Sequence, residues 1–257
     1  MNEFLIGLQF LTRISIVRQT IWTEESFGGS VKFFPAIGAV LGILYAAALG
    51  AIHFFNLPIF TGAVGFFLLV VSTGGIHCDG LMDSADGLFS GREREKMLEI
   101  MKDSRAGAFG VVALVTAAAL EISTLAELAN FSSIWICSAV FSSPIIGRLA
   151  MVAVIALFPY ARPMGLGKSF AKFTSRRTLF LALIEALILL SPLIFFRSII
   201  FLTAITALLA AIIFALWFGK FATAKLGGVT GDIYGAAEML AEILSPMIFL
   251  LAAVYLK

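Results

Sequence analysis

AVGFFLLVVSTGGIHCDGLMDSADGLFSG runs from Ala63 to Gly91. Its first half is a continuous apolar run, and its second half sets Asp79, Asp83 and Asp86 within eight residues. The apolar run decides the fold class, because the chain repeats it. A membrane-crossing helix needs about 20 mostly apolar residues. Seven stretches meet that demand, at 33–55, 59–76, 107–129, 131–158, 179–196, 198–219 and 233–256. The 257 residues are 60% hydrophobic and 13% charged, where a soluble domain is about 45–50% apolar and about 25% charged. One globular core cannot bury that excess. The sequence predicts an all-α, polytopic membrane bundle of about seven transmembrane helices with short interfacial helices, forming a single domain over 1–257.

The N-terminal stretch MNEFLIGLQFLTRISIVR has Glu3 in place of a basic lead, and no small-residue cleavage site follows it. It reads as an amphipathic or half-inserted segment rather than a cleavable signal. Cys78 and Cys137 show neither disulfide nor metal spacing. The net charge of +2 gives no reason to expect a nucleic-acid partner, and a homo-oligomer is compatible with the sequence. The distribution of charge says more. All the basic residues except Arg148, Arg197 and Lys257 fall before the first span or in alternate loops, on one side of the membrane. The positive-inside rule makes that side cytoplasmic, with the N-terminus inside. The five aspartates, Asp79, Asp83, Asp86, Asp103 and Asp232, fall at the same face.

The spacing i, i+4, i+7 puts Asp79, Asp83 and Asp86 within an arc of about 60° on a helix, read here as the second span extended past the membrane surface. Like charges on one helix face repel, so a cation should offset them. Mg²⁺ suits, because it takes a few carboxylates and completes its shell with phosphate oxygens. A solvated acidic helix end is the alternative, but the neighbours Gly80, Leu81, Met82, Ala85 and Gly87 are not those of a solvated face. Gly74, Gly75, Gly80 and Gly87 allow close approach of a substrate or of another helix. Ser90 and Glu93 have the spacing of a capping box for a short surface helix over 91–102, whose Arg92 and Arg94 solvate it. Asp103 and Arg105 follow as a fourth carboxylate and a guanidinium suited to phosphate.

Arg148 lies inside a span, where an unpaired charge costs at least about 2.5–3.5 kcal/mol. A contact to phosphate or diphosphate is expected; an ion pair with Glu121, Glu185 or an aspartate is the alternative. Arg162 and Lys168 belong to a cationic, glycine-containing loop, PYARPMGLGKSF. In KLGGVTGDIYGAAEMLAE, Thr230 or Asp232 is a natural N-cap. The loop before it offers backbone donors to an anion, and Glu238 follows inside the apolar segment. His77 either packs or takes part in the chemistry.

The stretch GGIHCDGLMDSADGLFSGREREKMLEIMKDSRAGAFG resembles the signature of the cobalamin-5′-phosphate synthase family, the adenosylcobinamide-GDP ribazoletransferases. The pattern G-G-x-H-x-D-G-L-x-D-x-x-D-G followed by L-E-I-M-x-D-S-R-x-G is kept at every fixed position. FLTRI, FPAIG, Arg148, YAR…GLG and LGGVTGDIYGAAEMLAE extend the likeness over the whole chain. The resemblance implies a Mg²⁺-dependent enzyme of the cytoplasmic membrane. Such enzymes join adenosylcobinamide-GDP to α-ribazole or its 5′-phosphate, release GMP and so assemble the nucleotide loop of cobalamin. It implies that Asp79, Asp83, Asp86 and Asp103 hold the metal. Arg105, Arg148 and Lys168 would neutralise the diphosphate, and Asp83, Asp86 or His77 would accept the hydroxyl proton. Arg162, Thr230, Asp232 and Glu238 complete the expected substrate contacts. A CDP-alcohol-type phosphotransferase shares the chemistry without the full motif. A secondary transporter would place its acidic groups near the midplane.

Overall fold

The computed structural model describes residues 3–17 and 22–256, so Arg18 and Lys257 of the charge pattern lie outside the described residues. The helices in chain order are α1 (Glu3–Leu11), α2 (Glu24–Gly29), α3 (Phe34–His53), α4 (Pro58–Thr73), α5 (Ile76–Leu88), α6 (Arg94–Ile100), α7 (Ala108–Leu128), α8 (Ser133–Leu157), α9 (Leu166–Phe173), α10 (Arg176–Leu190), α11 (Ser198–Leu226) and α12 (Gly231–Tyr255). Each of the seven apolar stretches is a helix. Six runs are long and apolar enough to cross a membrane: α7, α8, α11 and α12 by themselves, α3 in the helical run Glu24–His53, and α10 with the 3-10 turn that carries it to Phe195; α4 reaches that length only together with α5, from which it is bent by 93°. Among the described residues there are no strands, only one isolated bridge between Tyr160 and Val229.

Local chemistry sets the boundaries. Proline opens α3 and α4 at the first turn, where its missing N–H costs nothing. Glu185 of α10 accepts the Ala36 N–H at 3.3 Å, satisfying one of the free donors at the start of α3. Gly227 ends α11 in the left-handed region at φ 71°, its N–H bonded to the Thr223 carbonyl. That helix runs seven residues past the expected end at 219, so Lys220 and Lys225 stand on it rather than in a loop. The expected capping box at Ser90 and Glu93 is absent. The Ser90 hydroxyl instead donates to the Gly87 carbonyl at 2.8 Å, and α6 starts from Glu93 with no side-chain cap.

The core lies around α8, which packs on α3, α12, α11 and α10 and is buried along most of its length. Ile43, Val112, Ile188, Leu209 and Ile213 face outward on other helices, an apolar exterior suited to lipid rather than water. Helices α3 and α8 meet backbone to backbone through Gly38 and Gly42. A Cβ on Gly38 would stand 2.3 Å from the Pro144 carbonyl oxygen, and one on Gly42 2.3 Å from that of Phe141. Small residues spaced by four serve this close approach in membranes. Gly38→Val is therefore expected to destabilise by about 3 kcal/mol, the upper end for overpacking, because no side chain can move aside. Gly50→Ala, which meets only the Cys137 Sγ at 3.1 Å, should cost far less. Thermal unfolding of the two variants in detergent checks this, and equal midpoints would contradict the contact.

Candidate active site

The aspartate triad does not prolong α4. Gly74 and Gly75 both take left-handed backbone, at φ 66° and 76°, and turn the chain through 93° into α5. Two consecutive left-handed residues are tolerable only at glycine-like positions. Helix α5 then packs against α12, α7 and α6. Gly80 is the closest point of approach, since a Cβ there would lie 2.8 Å from the Asp232 carbonyl oxygen. The N-terminus of α12 is thereby pressed against the aspartate helix. Thr230 is the N-cap of α12, accepting the Ile233 N–H at 3.3 Å. This leaves the Asp232 carboxylate for Arg162, 2.8 Å away. Arg162 also donates to the Met101 carbonyl at 3.3 Å. Its loop is laced to the start of α12 by Ala161 N–H to Val229 O and Val229 N–H to Pro159 O, both 2.8 Å.

The result is a cleft of about 160 Å³ at this end of the bundle, whose walls include His77, Asp79, Gly80, Gly167, Asp232 and Tyr234. Asp79 is exposed on it and Asp83 is half-buried. The like charges bearing on Asp83 come from Asp79, Asp232 and Asp86, with Arg162 alone opposing them. His77 is buried, and neither ring nitrogen has a hydrogen-bond partner; its Nδ1 lies 3.6 Å from a Glu238 oxygen.

Several expected members stand elsewhere. The Asp86 carboxylate accepts the Gly107 N–H at 2.8 Å and the Gly110 N–H at 2.9 Å, so it holds the start of α7. Asp103 pairs with Arg105 at 2.6 Å on the surface, and that hydrogen-bonded guanidinium holds its carboxyl down at about 2. Lys168 is exposed and donates to the Pro163 carbonyl at 2.5 Å. Arg148 does not line the cleft. It is wholly buried, with Glu238 at 2.6 Å and Glu242 at 2.9 Å, so Glu238 is its counter-charge rather than a group open to substrate. The partners considered from the sequence, Glu121 and Glu185, do not reach it. Glu121 is buried in its own right, and Glu185 bonds α3. Arg94 does more than solvate α6: it donates to the Leu226 carbonyl at 2.7 Å, at the end of α11.

The model of the cobalamin-5-phosphate synthase family matches residues 3–251. The chain belongs to this family. It is 40% identical to the adenosylcobinamide-GDP ribazoletransferase of Desulfitobacterium hafniense, over 98% of this chain and 96% of that protein. It is 34% identical to the enzyme of the same name from Fusobacterium nucleatum, over 97% of both chains, and 37% identical to that of Desulforamulus reducens, over 94% and 93%. No solved structure matches significantly.

The family motif therefore divides in space. His77, Asp79 and Asp232 line the cleft, with Asp83 and Arg162 behind its wall as charge neighbours of Asp79 and Asp232, whereas Asp86, Asp103 and Arg105 shape what surrounds it. Among the described residues no three His, Cys, Asp or Glu side chains stand close enough to hold one metal ion as a group. A four-aspartate set is thus not assembled here. The donor chemistry that remains, Asp79 and Asp83 one turn apart, fits Mg²⁺, which needs only one or two carboxylates when phosphate supplies the rest. Two residues of this family motif set were missed by sequence reasoning. Glu242 was detectable, since it stands four residues after Glu238 and so on the same face of an apolar helix. Arg13, in FLTRI, lies beside Asp79's side of the cleft, and only the fold brings it there.

Proposed function

We propose that this chain is an adenosylcobinamide-GDP ribazoletransferase. It joins adenosylcobinamide-GDP to α-ribazole or α-ribazole 5′-phosphate and releases GMP, giving adenosylcobalamin or its 5′-phosphate. The observation that supports this most is the near full-length likeness to enzymes of that name, combined with a carboxylate cleft built from the family's own motif.

In the reaction a ribose hydroxyl oxygen forms a bond to the phosphorus that carries the cobinamide. The bond from that phosphorus to the bridging oxygen breaks, and GMP leaves with the electron pair. The hydroxyl proton must go to a base. Asp83 is the first candidate, because burial first and then the like charges of Asp79 and Asp232 favour its taking up a proton, while Asp86 is occupied by two N–H groups. His77 is the second candidate, with two unpartnered ring nitrogens. Arg162, paired with Asp232 of the cleft wall, brings a fixed positive charge beside the cleft. With Asp83 kept as the base, Asp79 would hold Mg²⁺, which takes as few as one carboxylate beside substrate phosphates; the ion would neutralise charge on the diphosphate, and such neutralisation with positioning is most of what phosphoryl transfer asks of a protein. We read the cleft as facing the cytoplasm from the cell membrane, with the N-terminus inside, a reading supported by the bias of Lys and Arg to one side.

Incubating the purified protein with Mg²⁺, α-ribazole and adenosylcobinamide-GDP should yield GMP and a corrinoid phosphodiester in equal amounts. Absence of GMP with either acceptor overturns the reading.

A further inference from the structure

Beside the cleft, and sharing Phe10, Ile76 and Asp79 with it, lies a hollow of about 440 Å³ that the mechanism above leaves unused. Its polar wall is made by Thr12, Arg13, Thr73, Gly74 and Gly75. Two features meet there, and a third lies in the adjoining cleft. The Arg13 guanidinium is exposed, and among the described residues no carboxylate pairs with it. Its backbone is fixed, because the Arg13 N–H donates to the Ser72 carbonyl at 2.6 Å. Its side chain lies across Gly74 so closely that a Cβ there would stand 1.9 Å from the Arg13 Nε. The left-handed turn at Gly74 and Gly75 points the first turn of α5 at the same place. Gly75 is the N-cap and provides no side-chain acceptor, so the opening N–H groups of this 13-residue helix are not capped. Finally, His77 in that first turn is 1% exposed and lines the adjoining cleft rather than the hollow; its Nδ1 has only Glu238 at 3.6 Å, and its Nε2 has no hydrogen-bond partner. A buried imidazole without a partner is a cost that a bound polar ligand would relieve.

An open helix start attracts anions, and a guanidinium binds phosphate through paired N–H donors. Asp79 is the one negative group in the wall, and the cation proposed there would reverse its repulsion.

We propose that Arg13 and the open first turn of α5 form a subsite for a phosphate group of a substrate that extends past Asp79 into the cleft lined by His77. The subsite stands on these residues alone; which molecule carries the phosphate rests on the ribazoletransferase reading. Two sources share the chemistry, the diphosphate of adenosylcobinamide-GDP and the 5′-phosphate of α-ribazole 5′-phosphate.

The test has two arms, both on the full-length purified protein. In the first, inorganic pyrophosphate with Mg²⁺ should raise the thermal midpoint of the wild-type protein, and Arg13→Ala should weaken its apparent affinity at least tenfold. In the second, KM and kcat are measured for adenosylcobinamide-GDP, α-ribazole 5′-phosphate and α-ribazole. Arg13→Ala should raise KM at least tenfold for one of the two phosphate-bearing substrates, and which one identifies the source. The KM of α-ribazole should move less than threefold. Arg13→Lys, which keeps the charge without the planar fork, should recover part of the loss. It also serves in both arms if the alanine variant fails to fold. Unchanged pyrophosphate affinity, a KM rise equal for all three substrates, or a loss confined to kcat overturns the proposal. If the wild-type protein releases no GMP, the ribazoletransferase reading fails and the pyrophosphate arm still decides the subsite.

Discussion

Arg148→Ala is expected to remove the folded protein, not merely its activity. The side chain is wholly buried, with two carboxylate oxygens within 3 Å and the Pro144 carbonyl at 3.2 Å. Deleting one side of a buried ion pair costs about 3–5 kcal/mol, since the remaining charge has no water to return to. Here two carboxylates, Glu238 and Glu242, would be stranded. That loss approaches the whole stability of an ordinary domain, about 5–15 kcal/mol. The combined variant R148M/E238Q/E242Q should regain yield and thermal midpoint, because it removes the charges together. Detergent-solubilised size-exclusion profiles with thermal scans would check both. A monodisperse Arg148→Ala protein with a wild-type midpoint would show that the ion cluster is not structural and would restore Arg148 as a candidate for substrate.

The second large effect should be catalytic and leave the fold alone. Asp79→Asn and Asp83→Asn are each expected to lower turnover by about 10²–10⁴-fold, the range for removing a positioned acid–base or charge-stabilising group. Neither aspartate makes an ion pair that holds two helices together among the described residues, so midpoints should shift little. Asp86→Asn should behave differently. Asp86 bonds two N–H groups at the start of α7, and losing a cap of this kind costs about 0.5–2 kcal/mol. An amide keeps one acceptor, so a stability loss is expected along with any change in turnover. Assays of GMP release at saturating Mg²⁺, run beside thermal scans, separate the two classes. Near-normal turnover of Asp79→Asn would mean that the cleft carboxylates only solvate a helix end.

The spans were legible because hydropathy is a property of each segment by itself, and all seven helices fall where the apolar runs do. What failed was everything that depends on a partner far along the chain. Gly74 and Gly75 were visible as glycines, but whether they admit a substrate or turn a helix is decided by α12 and α7, onto which α5 folds. Asp79, Asp83 and Asp86 share a helix face as their spacing required. Asp86 nevertheless went to α7, whose free N–H groups no local pattern reveals. Ser90 and Glu93 had the spacing of a capping box, and the Gly87 carbonyl took the hydroxyl first. Arg148 was correctly read as needing compensation in lipid, but its partners come from the last helix.

That long reach has a consequence for how the protein is made. Glu242 is 94 residues beyond Arg148, and ribosomes add about 5–20 residues each second. For several seconds after α8 emerges, its guanidinium has no native counter-charge. The nascent α8 must wait in a hydrated place, at the lipid headgroups or against the insertion machinery, until α12 arrives. Helix α12 therefore acts as a keystone: a chain that stops short of it leaves the buried arginine of α8 without either counter-charge.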